Sequence, residues 1–265
     1  MKKIILLASL FSTLSYAHDP FVAPLSYVTS NTQIPVLSGY AEHAFDSEYA
    51  LKDASFTVVD PSQKSSTIKA DNALKSVTVF DLLLPTDGTY KISSKVNYPI
   101  KYALHNKLWK PFYEVSAQDA GELAKRDYVI ADDFPKNQPP SFQEIQREWT
   151  LESYVTKNKV STLNAKNDAP IQVSFSVHPN QIKVNQAVQL NVSKSGKPLK
   201  NAQVKFLAEG QTEDQAVELK NNAQGTSELK LPKTGQYRIE VTEKVDMKQK
   251  PQNQYYIIVA IDVQH

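Results

Sequence analysis

The chain of 265 residues carries 30 basic and 28 acidic residues, a formal net charge of +2, and no cysteine. The missing cysteines exclude a disulfide framework, a lipid attached through an N-terminal cysteine and a thiolate metal site. The near balance of charge, with no basic block, argues against nucleic acid or an anionic membrane surface as the partner.

The first segment reads as an export signal. Lys2 and Lys3 precede an apolar run over residues 4–11, and Ser15 and Ala17 place small residues at positions −3 and −1 of a cleavage site. The run is too short to span a bilayer, which takes about 20 residues. A cut after Ala17 removes two lysines and no acid, so the remaining 248 residues carry 28 charges of each sign. The expectation is a soluble periplasmic chain, without membrane insertion, that begins at His18 and is long enough for two domains.

Residues 21–29 read as an extended opening strand, with Pro20 and Pro24 suited to a sheet edge. Residues 33–40 form a second strand, and polar groups including Glu42, His43 and Asp46 follow where it ends. Residues 54–59 alternate and stop at Asp60-Pro61-Ser62, a turn in which proline fixes φ and aspartate caps the backbone. A longer strand over 74–84 follows.

Residues 100–105 and 108–113 pair as a hairpin around Asn106-Lys107. Residues 117–125 suggest a short helix, and 132–140 are irregular by composition. Ser141-Phe-Gln-Glu144 has the spacing of a capping box, which predicts a helical turn ending near Trp149. A strand over 149–160 leads to a polar, proline-terminated stretch at 164–170, where a domain boundary is expected. Beyond it Ile171, Val173, Phe175 and Val177 alternate, as do Val188, Leu190 and Val192; strands over 202–207 and 255–263 complete the chain.

One internal echo organises these elements. Pro85-Thr-Asp-Gly88-Thr-Tyr90-Lys-Ile92 returns 147 residues later as Pro232-Lys-Thr-Gly235-Gln-Tyr237-Arg-Ile239, each time after an apolar strand. In immunoglobulin-like sandwiches such a turn enters a late strand, and an aromatic packs near the corner. The reading is therefore an all-β chain of two tandem β-sandwiches, one over 18–165 and an immunoglobulin-like one over 170–265, with short helical turns in the connection.

Taken together, the exported His18-Asp19 start, Leu-Glu-Ser-Tyr-Val-Thr at 151–156, His-Pro-Asn-Gln-Ile at 178–182 and Gly-Lys-Pro-Leu-Lys-Asn-Ala-Gln-Val at 196–204 carry a family likeness. The chain resembles a periplasmic family of unknown function that includes NikK-like accessory components of nickel and cobalt uptake systems, and members encoded beside outer-membrane receptors. It departs from the usual pattern at Asn185, where a turn glycine is common, and at Ile171-Gln-Val, where the family often carries a Glu. The resemblance implies a two-domain periplasmic β protein that handles a transition metal, with the N-terminal histidine as a ligand. An envelope transport component or outer-membrane receptor would be its partner.

The residues bear on that implication directly. Nickel and cobalt, with zinc and Cu(II) as further choices, favour imidazole, and geometry rather than residue type selects among them. An N-terminal His18 offers its amine and its ring. His43, beside Glu42, and His105 are the further candidate ligands, and if the opening strand runs beside the one ending at His43, imidazoles, an amine and a carboxylate meet at one end of the sandwich. None of these histidines shows an HxH or HExxH spacing.

His178, before a proline, reads as a turn residue, and His265 is terminal. No nucleophile elbow, phosphate loop or dinucleotide turn is present, so a non-enzymatic protein is expected. Asp132-Asp133 reads as a solvated pair rather than a catalytic one. A metal-independent adaptor for an envelope protein or glycan, using the aromatics around Trp109 and Tyr113, is the alternative; an oxidase holding copper through an N-terminal histidine is a third.

Overall fold

A computed structural model describes residues 18–70, 72–162 and 168–265. The signal segment with its Ser15-Tyr-Ala17 junction lies outside the described residues, as does most of the stretch expected to hold the domain boundary. The strands are β1 (Asp19–Pro24), β2 (Val28–Thr29), β3 (Gln33–Ala41), β4 (Tyr49–Ala50), β5 (Ser55–Val59), β6 (Ser65–Lys69), β7 (Asn72–Ala73), β8 (Thr78–Leu83), β9 (Gly88–His105) and β10 (Leu108–Pro111). After helix α1 (Ala117–Ala120) come β11 (Phe142–Lys157), β12 (Ile171–Phe175), β13 (Val188–Lys194), β14 (Lys197–Pro198), β15 (Ala202–Ala208), β16 (Val217–Leu219), β17 (Thr226–Leu229), β18 (Gly235–Glu243) and β19 (Gln254–Val263). The fold is all-β, a sandwich of packed sheets as the sequence predicts. No helix among the described residues is long and apolar enough to cross a membrane.

The described residues form two compact units, one of residues 99–146 and 245–252 and the other of 18–98, 147–244 and 253–265. In the larger unit β1, β3, β8 and β7 lie in that order, with β4 on β3; a second sheet runs from β16 through β15, β18, β19, β11, β9 and β5 to β6; and a third runs β12, β13, β14 with β17 on β13. One apolar cluster gathers Leu190, Val192 and Leu229 against Phe206, Ile239 and Val259. Another gathers Ile34, Val36 and Leu82 against Phe56, Ile92 and Leu151. Each such fully buried side chain contributes about 1.5–3 kcal/mol.

Strand β19 serves both clusters. Ile257, Val259 and Ile261 belong to the first and Ile258 to the second. With both faces covered it has no polar side to show, hence the unbroken apolar run instead of alternation. Its parallel neighbour β11 runs in register from Arg147 opposite Gln254 to Ser153 opposite Ala260.

The echo is a structural repeat. Tyr90 donates its hydroxyl to the Thr86 carbonyl at 2.8 Å and accepts from the Thr86 N–H at 3.0 Å. Tyr237 does the same with Lys233, at 3.2 Å in both directions. Both are tyrosine corners of the immunoglobulin-like kind, each spanning four residues. Gly88 and Gly235 take φ of 135° and 113° at the two turns, in the region that favours glycine.

Other turns follow their predicted chemistry. Asp60 Oδ1 accepts from Ser62 N–H at 2.8 Å, Ser62 Oγ at 2.7 Å and Lys64 N–H at 3.0 Å. The opening strand is indeed an edge, as its prolines require, since β1 ends its sheet. It stops at Pro24, however, and Val28–Thr29 leaves to pair in parallel with Thr156 and Lys157.

The capping-box expectation is overturned: residues 142–157 are one continuous strand, β11. An N-cap contributes about 1 kcal/mol. A ladder of inter-strand hydrogen bonds, together with burial of Ile145 and Trp149, outweighs it.

In the smaller unit the hairpin forms as expected, with His105 opposite Leu108 and Asn106 and Lys107 at φ of 50° and 66°. Ile100, Tyr102 and Ile145 make its core, with Trp109 and Met247 packed against them. The helix expected over 117–125 is α1 followed by a separate 3-10 turn, Leu123–Lys125, because Gly121 ends the first segment at φ 66°.

Candidate metal centre

Strand pairing assembles a histidine and two carboxylates. Asp19 lies opposite Ala41 in the β1–β3 ladder, so His18 comes to the end of β3, where Glu42 follows. Strand β4 folds back on β3 with Tyr49 opposite Tyr40, which brings Glu48 to the same place. This return depends on Gly39, where a Cβ would stand 2.7 Å from the Tyr49 carbonyl.

His18 Nε2 sits 3.0 Å from Glu48 Oε2, and the Glu42 N–H donates to Glu48 Oε1 at 3.1 Å. The His18 ring stands edge-on to Tyr49 with centroids 5.1 Å apart. One ligand atom from each of His18, Glu42 and Glu48 lies within 4.8 Å of the others. The His18 hydrogen bond, then the Glu42 N–H, hold the Glu48 carboxyl below its usual range, with the charges of His18 and His43 adding to the effect.

The other candidate ligands sit elsewhere. His43 is exposed in the turn after β3 and is not one of the three converging groups. His105 belongs to the smaller unit, where its ring is edge-on to Phe134 at 5.4 Å. His178 caps the 3-10 turn Pro179–Gln181 by accepting from the Asn180 N–H at 3.1 Å, a turn residue as its sequence position suggests. Asp133 is clamped by both terminal nitrogens of Arg126 at 2.6 and 2.8 Å and by the Ile130 N–H at 2.7 Å. It is thereby committed to structure.

A second constellation escaped the sequence reading. Asp19, Glu213 and Glu240 converge, with carboxylate oxygens within 4.8 Å of one another. Two cations already serve them. Arg238 Nη2 donates to Asp19 at 2.9 Å and to Glu213 at 2.7 Å, while Lys205 Nζ lies 2.6 Å from Glu213 and 3.0 Å from Glu240. Burial first, then the Glu240 charge, push Asp19 up to about 8 against the pull of Arg238 and Lys205.

With two cations in contact this is a buried charge network rather than a vacant cation site. The signal for it was the placement of Arg238 and Glu240 between Tyr237, Ile239 and Val241, since charges alternating through an apolar strand need partners when the far face is also covered.

The packed sheets and the two tyrosine corners describe an all-β protein of immunoglobulin-like sandwich class. Its sequence matches the family described as a domain of unknown function, DUF4198, over residues 15–244, and the chain belongs to that family. No curated protein matches it. Among solved structures, it is similar to the chicken CNTN1 FN1-FN3 domains at 12% identity, covering 94% of this chain and 66% of that one, with a TM-score of 0.27. It is also similar to the D0-D1 domain of Intimin at 9% identity, covering 91% and 96% with a TM-score of 0.21, and to red sea bream transglutaminase at 9%, covering 94% and 31% with a TM-score of 0.23.

Proposed function

We propose that the protein is a periplasmic binder of a divalent transition metal, nickel or cobalt first and zinc or Cu(II) next, acting beside a metal-uptake system. The observation that carries this reading is the approach of His18 Nε2 to Glu48 at 3.0 Å with Glu42 alongside. An imidazole and two carboxylates form a mixed nitrogen and oxygen donor set suited to these ions. Cleavage after Ala17 would add the His18 amine.

The two ring nitrogens divide the chemistry. A chelate through the amine uses Nδ1, which leaves Nε2–H to donate to Glu48 as an outer carboxylate that orients the ring. Direct binding through Nε2 instead makes Glu48 and Glu42 ligands. Calorimetric titration of protein cut after Ala17 with each metal, beside Glu48→Gln, His18→Ala and a form with one extra residue before His18, separates these modes. Weaker binding in the extended form assigns the amine. Equal affinity in His18→Ala, or no binding at all, removes the metal reading.

One observation favours the second reading, an adaptor. In the smaller unit a groove of about 540 Å³ is lined by Phe112, Phe134 and Phe142 with Pro135, Pro139 and Pro140. Phe142 is 46% exposed, and Lys101 lies over the Phe112 and Phe142 rings. Trp109 is half-buried and packs against the small core of Ile100, Tyr102 and Ile145. Envelope complexes that survive Phe142→Ala would count against this reading.

A further inference from the structure

In the larger unit the outer face of the sheet formed by β5, β9 and β11 carries a cleft of about 790 Å³, lined by polar side chains. That volume suits a small-molecule site. Thr57 of β5 lies opposite Ser93 of β9, and Val59 lies opposite Lys91. Because side chains alternate across a strand, Lys91, Ser93 and Lys95 share this face while Ile92 packs inward. Thr150 of β11 adds a further hydroxyl, and Tyr40 forms part of the wall.

Lys91 sets this cleft apart from an ordinary polar sheet face. Its side chain is 7% exposed, and its partner among the described residues is Glu152 Oε1 at 2.7 Å. An ammonium has three donors, so the pair leaves two N–H groups on a buried cation that lines a cavity. Such donors favour a charged oxygen acceptor. Lys95 supplies a second charge on the same face, 4.0 Å from Glu148 and paired more closely, at 3.2 Å, with Asp168, whose side chain is 88% exposed. So exposed a pair contributes little, and a ligand carboxylate can take its place.

We propose that the cleft binds a polyhydroxylated carboxylate, a sugar acid or a hydroxy acid, with its acidic group on the lysine side chains and its hydroxyls on the serine and threonine side chains of β5, β9 and β11. Serine and threonine both donate and accept, as does a sugar hydroxyl, so a hydroxyl-lined floor matches that class. The proposal uses no residue of the His18 cluster and stands apart from metal binding.

The test follows backbone amide NMR shifts of the full processed chain on addition of digalacturonate, glucuronate or citrate, with cellobiose as the neutral control. We expect at least one acid to bind at concentrations below about 10 mM, shifting Thr57 and Ser93 signals, with cellobiose ineffective. The acid that binds tells a saccharide ligand from a hydroxy acid. Ser93→Phe, which fills the floor, and Lys95→Gln should each weaken binding by about tenfold or more, with unchanged melting showing that both fold. Lys91 is left intact because its removal would take the neighbouring cation from the buried Glu152 carboxylate. Silence from all three acids, equal binding of cellobiose, or binding indifferent to Ser93→Phe overturns the proposal.

Discussion

Arg238, in β18, reaches back 219 residues to hold Asp19, the first residue of β1, at 2.9 Å. Arg238 is 1% exposed, and with Lys205 it faces the carboxylates of Asp19, Glu213 and Glu240. Removing one partner from a buried network leaves charge without compensation, which costs about 3–5 kcal/mol. Arg238→Met should therefore destabilise by that amount in urea melts. Asp19→Asn, which removes one of three acids facing two cations, should cost under about 1 kcal/mol.

The two tyrosine corners differ in one contact. The Tyr90 hydroxyl also meets the Thr86 hydroxyl at 3.0 Å, whereas the Tyr237 hydroxyl, among the described residues, bonds the backbone of Lys233. A net hydrogen bond is worth about 1 kcal/mol. Tyr90→Phe should lower stability by roughly 1–3 kcal/mol and Tyr237→Phe by less, read from denaturant midpoints at constant m-value.

Asp133 gives the smaller unit a pH dependence. Burial raises its carboxyl, but the Arg126 hydrogen bonds, the Ile130 N–H and the Arg126 charge together hold it below its usual range. Because the folded value is depressed, its stabilisation is complete above the unfolded pKa of about 4 and is lost as pH falls through the folded value. The protection factor of the Ile130 amide, taken relative to intrinsic exchange at each pH, should fall below about pH 4. Asp133→Asn should remove that dependence and cost about 1.5–3 kcal/mol.

Gly39 governs the proposed metal centre indirectly. A Cβ there would meet Ser47 Oγ at 1.9 Å and the Tyr49 carbonyl at 2.7 Å. Ser47 can turn aside, but the Tyr49 carbonyl is backbone of β4. Gly39→Ala should cost roughly 1–3 kcal/mol and, by moving Glu48 from His18, weaken nickel binding about tenfold.

Local sequence carried much of this protein. The Pro-x-x-Gly-x-Tyr echo encodes two corners because each Tyr hydroxyl bonds a residue only four positions before it. Asp60-Pro61-Ser62, the Asn106-Lys107 hairpin and the edge position of β1 follow likewise from backbone preferences acting over a few residues. His18 stood out as a candidate ligand through its position beside the expected cleavage site.

Tertiary structure decided the rest. The β1–β3–β4 register chose Glu48 and Glu42 as neighbours of His18 and left His43 exposed, and a one-residue slip would have turned these side chains to the other face. Strand pairing overrode the capping box at Ser141 because a long ladder outweighs one local cap. The Asp19–Arg238 contact and the spare donors of Lys91 depend on residues far apart in sequence and on desolvation. Both arise only when distant strands close over a charge and leave it with few partners.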